Sequence, residues 1–190
     1  MLEVILPAAG YATRLWPLTK NKPKALLEVA GKPIIEHIFD RLEALPIARV
    51  SIVTNAKFYR NFLEWNSGFK FKSEVNILND GTTSNEGRLG AIGDINFAIE
   101  KQGIAGNNAD LLIINADNLF TFDLTRAYKF FKDKNADTIV LYDVRTKEEA
   151  SKHGVPEIDE NFRVVGFEEK PSEPKSTLCS VGIYFYTPGT

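Results

Sequence analysis

Only one cysteine, Cys179, occurs in the 190 residues, so the chain holds no internal disulfide and no thiolate metal cluster. Histidine is almost as scarce: His37 and His153 have no partner at metal-ligand spacing and read as structural or surface residues. No apolar run approaches the ~18–20 residues that cross a bilayer, and residues 1–7 carry no basic leader ahead of their apolar stretch. An excess of one charge is missing too. With 23 Lys+Arg against 25 Asp+Glu, a formal charge of −2 and a pI near 5.8, the chain offers no overall positive field for a phosphate backbone. The expectation is a soluble, cytoplasmic protein with no nucleic-acid and no membrane partner, although a local basic site stays open. Repeats, low-complexity tracts and obvious linkers are absent, which favours one compact unit.

What is present suits a globular α/β chain. The length corresponds to one or two domains of ~100–200 residues, and 44% hydrophobic residues suffice for a core. Short apolar runs at 2–7, 50–54, 74–78, 111–115 and 138–144 alternate with helical patterns. Pro33 opens a segment in which Ile34, Ile38 and Leu42 recur at every fourth residue. Phe58, Phe62 and Trp65 mark a second helix, Ile92, Ile95 and Ile99 a third, and Leu124, Tyr128 and Phe131 a fourth behind an Asp123 N-cap. The near-continuous runs fit central parallel strands buried on both faces.

From Thr146 the texture changes. Thr146-Lys147-Glu148-Glu149 fits a capping box for a short helix that Gly154 would end, followed by β-rich stretches at 162–169 and 178–186 around a Pro-Ser-Glu-Pro turn. The predicted architecture is a mostly parallel sheet flanked by helices, residues 1–145, with a smaller β-rich portion, residues 146–190.

The loop after the first strand, Ala8-Ala9-Gly10-Tyr11-Ala12-Thr13-Arg14-Leu15, is built of small residues at the carboxyl end of a central strand, where open sheets collect ligands. Small side chains let backbone N–H groups approach an anion. Between residues 14 and 32, Arg14, Lys20, Lys22, Lys24 and Lys32 face only Glu28, an excess of four positives. A solvated turn is the plainer reading of the same fragment. The Gly-x-Gly-x-x-Gly fingerprint and the P-loop spacing are both absent.

Taken together, the stretch from Pro7 to Thr19, Lys22-Pro23-Lys24-Ala25-Leu26-Leu27 and Gly31-Lys32-Pro33-Ile34-Ile35 closely resemble the signature of the sugar-phosphate nucleotidylyltransferases. Further matches follow in order at Leu89-Gly90-Ala91-Ile92-Gly93, Asn115-Ala116-Asp117-Asn118, His153-Gly154-Val155, Glu168-Glu169-Lys170-Pro171 and Val181-Gly182-Ile183-Tyr184-Phe185. The resemblance implies a Rossmann-like nucleotide-diphospho-sugar transferase fold. It also implies Mg²⁺-dependent transfer of a nucleotidyl group from a nucleoside triphosphate to a sugar 1-phosphate such as glucose 1-phosphate, releasing pyrophosphate. Because the attacking phosphate oxygen is already ionised near neutral pH, such a reaction needs charge compensation and alignment more than a protein nucleophile.

By the same resemblance, Arg14 grips the triphosphate, Lys24 neutralises the α-phosphate, and Asp117 holds Mg²⁺. Lys170 holds the sugar phosphate, Glu169 the sugar hydroxyls, and Gly154 admits the sugar to the backbone. Ala8, Ala9, Gly10 and Thr13 line the triphosphate, while Asn79, Leu89 and Gly90 lie where the base is read. An Asx-turn role remains the competing reading of Asp117. Leu89 onward also reads as helix entry. Three departures stand out. Ala12 and Ala116 replace glycines usual in the family, which costs little unless φ is positive. The family's second metal carboxylate comes from beyond the strand containing Gly182, and no acid follows Tyr186 here. A piece of a longer transferase and a shortened sugar-nucleotide-binding sensor or regulatory subunit both fit that ending. Weakened metal affinity is expected of either, and a homo-oligomer is left open.

Overall fold

The computed structural model describes residues 1–189. The chain divides into two compact units, Met1–Thr138 with the segment from Tyr184 onward, and Ile139–Ile183. The boundary expected between residues 145 and 146 therefore falls inside the second unit.

In the first unit, β1 (Leu2–Pro7) lies between β4 (Ile47–Thr54) and β6 (Asp110–Ile114), and β5 (Glu74–Asn79) flanks β4; all three pairings are parallel. Leu2, Val4, Ile5 and Leu6 are fully buried. Alternating side chains point to opposite faces, so burial of consecutive residues means that both faces of β1 are covered. Each such side chain contributes about 1.5–3 kcal/mol, which fixes β1 as the central strand. The observed strands agree with the apolar runs to within a few residues. Strand β4 starts at Ile47 instead of residue 50, because Ile47 is itself buried on the core.

The helices follow local signals. Helix α1 (Ile34–Leu42) buries Ile34, Ile35, Ile38, Phe39 and Leu42 along one stripe. Helix α2 (Tyr59–Gly68) buries Phe62, and its Trp65 stacks on Phe69 at 4.6 Å. Helix α4 (Leu124–Lys134) begins where Asp123 accepts the Thr125 N–H at 2.9 Å, and its Phe131 stacks on Phe185 at 5.3 Å. Helix α3 (Gly90–Gln102) departs from expectation in its facing. Ile95, Ala98 and Ile99 pack on Ile5, Val53 and Ile113, but Ile92 is 84% exposed while Asp94 is only 5% exposed. A 3.6-residue period places an apolar stripe only approximately, and here the sheet selects the stripe that starts later.

Two short antiparallel strands, β2 (Glu28–Val29) and β3 (Lys32–Pro33), were not foreseen, being too short to show a period. The second unit contains β7 (Thr138–Asp143) from its second residue and α5 (Lys147–Ala150). It also holds the antiparallel pair β8 (Gly154–Ile158) and β9 (Val164–Glu169), and the larger part of β10 (Leu178–Tyr186) beside β7. Thr146 Oγ1 accepts the Glu149 N–H at 3.2 Å, so half of the capping box forms. The Glu149 carboxylate turns instead to Lys152 at 2.7 Å and His153 at 3.4 Å, and those hydrogen bonds hold its pKa below the usual carboxylate value. Gly154 does not end α5, which stops at Ala150 with Ser151 as its C-cap; it opens β8 opposite Glu169. Cys179 is buried with Ala150 and Val155 as a small strand residue, and desolvation raises its thiol pKa. Among the described residues, no helix is long and apolar enough to cross a membrane.

Candidate functional site

A cavity of about 310 Å³ opens in the first unit at the carboxyl ends of β1 and β6. The end of β1 and the first loop line it with Pro7, Ala8, Ala9, Gly10 and Ala12, the segment after β6 with Asn115, Ala116 and Asp117, and Lys24, Ala25, Arg88, Gly90, Ala91 and Asp94 complete the lining. Parallel strands deliver β1 and β6 side by side, so residues from opposite halves of the sequence meet there. The 13-residue helix α3 adds its N-terminus, whose unpaired N–H groups favour an anion.

Internal hydrogen bonds hold the first loop in place. Buried Asn55 donates from Nδ2 to the Ala9 carbonyl at 2.8 Å and accepts the Phe58 N–H at 3.0 Å, joining the loop to the entry of α2. Tyr11 Oη donates to the Thr82 carbonyl at 3.2 Å, and buried Thr19 donates to the Ala12 carbonyl at 2.7 Å. Ala12 adopts φ 45°, ψ 42°, the left-handed conformation that suits glycine and costs alanine roughly 1 kcal/mol. Ala116 carries no such strain, its φ lying outside the positive range. A Cβ at Gly10 would meet no atom within 4 Å, so its backbone is open toward a ligand.

Lys24 and Asp117, 93 residues apart, meet at 2.8 Å between Nζ and Oδ2. Both are partly exposed, so the ion pair contributes less than about 1 kcal/mol and is readily exchanged for a ligand. The expected excess of positive charge is largely compensated: Lys22 lies 3.8 Å from Glu28, and Lys32 pairs with Asp40. Arg14, exposed on a 3-10 turn at Thr13–Leu15, and Lys20 keep no ion pair among the described residues.

Of the residues the resemblance singled out, the cavity brings together Ala8, Ala9, Gly10, Lys24, Gly90 and Asp117. Arg14, Thr13, Asn79 and Leu89 do not line it. Asn79 Oδ1 accepts the Gly81 N–H at 2.9 Å in a tight turn, and Leu89 is the half-exposed N-cap of α3. Gly154, Glu169 and Lys170 belong to the second unit. There the Lys170 N–H donates to the His153 carbonyl at 3.0 Å, and Lys170 Nζ lies 3.5 Å from Glu169 Oε1. A Cβ on Gly154 would sit 2.4 Å from Phe167 Cζ and 3.0 Å from Glu169 Oε2, so a side chain at that position requires the half-exposed Phe167 ring to move.

Arg88 and Asp94 were missed. Arg88 carried no motif, and Asp94 stood among isoleucines that suggested simple packing. Burial first, then the neighbouring Asp80 charge and the Asp80 carboxylate's capacity to accept from a protonated Asp94, push the Asp94 pKa up from 3.8 to about 7.

A parallel sheet covered on both faces, with a cavity at its carboxyl edge that carries Lys24, Arg88, Asp94 and Asp117, defines an α/β protein of the kind that collects ligands at its strand ends. The chain matches the Nucleotidyl transferase family profile over residues 2–190 and belongs to that family. It is 29% identical over 187 residues to the UTP–glucose-1-phosphate uridylyltransferase AglF of Haloferax volcanii, covering 98% of this chain and 72% of that protein. It is 33% identical over 186 residues to the bifunctional protein GlmU of Methanococcus aeolicus, covering 96% of this chain but only 39% of GlmU. A Bacillus anthracis protein assigned as a glucose-1-phosphate thymidylyltransferase and solved with sucrose superposes with a TM-score of 0.83 at 25% identity, over 98% of this chain and 72% of the other.

Proposed function

We propose that the chain acts as a sugar-1-phosphate nucleotidylyltransferase, joining a nucleoside triphosphate to a hexose 1-phosphate and releasing pyrophosphate. A sugar-phosphate oxygen forms a bond to the α-phosphorus as the bond from that phosphorus to the pyrophosphate oxygen breaks; no proton has to be removed from the nucleophile near neutral pH. The single observation that carries the reading is the Lys24–Asp117 contact inside the cavity at the ends of β1 and β6. A cation and a hard-oxygen carboxylate side by side are what two approaching polyanions require.

In this reading the Lys24 ammonium leaves Asp117 for the α-phosphate, the first-loop N–H groups and the start of α3 receive the remaining phosphate oxygens, and Arg88 supports the charge from the cavity lining. Exposed Arg14 is free to swing onto the triphosphate tail. Asp117, once released by Lys24, would hold a Mg²⁺ ion, for which a hard carboxylate oxygen is a fitting ligand. When bound, that ion supplies charge neutralisation across the phosphates. None of the cavity-lining residues is Ser, Cys or His, in keeping with direct attack by substrate.

Pyrophosphate release measured over a panel of five nucleoside triphosphates and several hexose 1-phosphates tests the proposal. Metal-dependent release with at least one pair supports it. Nucleotide binding without release from any pair would assign the chain to sugar-nucleotide binding instead.

A further inference from the structure

Two carboxyl groups of the first unit, Asp80 in the loop after β5 and Asp94 in α3, are electrostatic neighbours. Asp80 Oδ1 already accepts the Thr82 N–H at 2.7 Å and the Thr82 hydroxyl at 2.8 Å. Its Oδ2 and the Oδ1 of Asp94 are both buried, and neither has a hydrogen-bond partner among the described residues. Ionised carboxylates only accept, so two of them in contact repel unless a proton lies between them. Asp94 is 5% exposed and lines the same cavity as Lys24 and Asp117.

We propose that Asp80 and Asp94 form a proton-sharing carboxyl pair in the wall of the cavity, and that a nucleoside triphosphate binds the singly protonated pair and is released as that proton is lost. The proposal rests on the nucleotide-site reading above. The charged groups around the pair are few. Lys24 is engaged by Asp117, and Arg88 has its guanidinium on the Asn85 carbonyl at 2.9 Å. The ends of β1 and β4 present Pro7, Ala8 and Thr54, all uncharged, and β5, β6 and β10, which share a core with α3, add Leu78, Leu111, Ile113, Tyr184 and Tyr186, of which only the tyrosines are titratable. Among the described residues no cation is therefore bound to the pair, and loss of its proton adds a second negative charge in a poorly hydrated wall facing a polyanion. The elevated Asp94 pKa, about 7, places that change in the neutral range.

The test is nucleotide affinity as a function of pH. Binding of the five nucleoside triphosphates in EDTA is measured by calorimetry from pH 5.5 to 8.5 for the wild type, Asp94→Asn and Asp80→Asn. Ionisation of the nucleotide is common to all three proteins and cancels in their ratio. The wild-type Kd should worsen relative to Asp94→Asn with a limiting slope of about tenfold per pH unit above neutrality, and binding should take up a proton there. Superimposable pH profiles would overturn the proposal. In the wild type, ¹³C carboxyl NMR should place one aspartate titration near neutrality; finding every aspartate titrating below pH 5 would overturn it even if both variants failed to fold. If nucleotide fails to bind at any pH, the reading of the site falls, whereas the NMR titration still decides whether the pair holds its proton.

Discussion

Replacing Asp94 by Asn should change how stability depends on pH, quite apart from any ligand. The folded protein raises the Asp94 pKa from 3.8 to about 7, so the native state holds a proton that the unfolded chain has already released. The contribution of this group is fully present below about pH 4 and is lost as pH rises through about 7. At 1.36 kcal/mol per unit, a shift of roughly three units amounts to about 4 kcal/mol over the whole window, of which about 3 kcal/mol falls between pH 5 and 8. Asparagine keeps the shape, cannot ionise, and carries none of this slope. Any fixed cost of the amide in the buried contact shifts its curve vertically and leaves the slope untouched. Urea unfolding at pH 5, 6, 7 and 8 should therefore show Asp94→Asn gaining on the wild type steadily up to neutrality and levelling off above it. Parallel stability curves for the two proteins over that range would show that Asp94 is not held protonated and would remove the physical basis for the carboxyl pair.

Other expectations are independent of this one. Asp117→Asn should abolish metal-dependent pyrophosphate release while leaving the circular dichroism spectrum and unfolding midpoint nearly unchanged, since its ion pair with Lys24 is partly exposed; unaltered turnover would exclude Asp117 as a metal ligand. Gly154→Ala should displace the half-exposed Phe167 ring, whose Cζ lies 2.4 Å from the new methyl, at a cost of about 1 kcal/mol or less, and the same change made beside Phe167→Ala should cost nothing measurable in denaturant unfolding. Native Cys179 should resist a thiol-specific reagent at pH 8 and react at once in urea, since the thiol is buried and its pKa is raised by desolvation; rapid labelling of the folded chain would contradict its burial.

Much of this architecture is legible in one dimension because its causes are local. Strand β1 and helix α1 declare themselves through runs and four-residue spacing, and Asp123 and Thr146 cap the helices that follow them because a cap bonds only to N–H groups two or three residues away. Strands β2 and β3 escape because two residues have no period, and β8 because Pro156 interrupts it. At the site, the small-residue loop, Lys24 and Asp117 were visible through a motif, whereas Arg88 and Asp94 belonged to none.

The sequence by itself determined the order of strands and helices, the small-residue loop at the end of β1 and the membership of the chain in a nucleotidyl-transferring family, since each rests on neighbouring residues. Only the tertiary structure decided that Ile92 faces solvent while Asp94 is buried, that Lys24 meets Asp117 across 93 residues, and that Asp80 lies against Asp94. The physical reason is that burial and charge proximity, which set a carboxyl group's proton affinity, arise from which elements pack together and are encoded in no single segment of the chain.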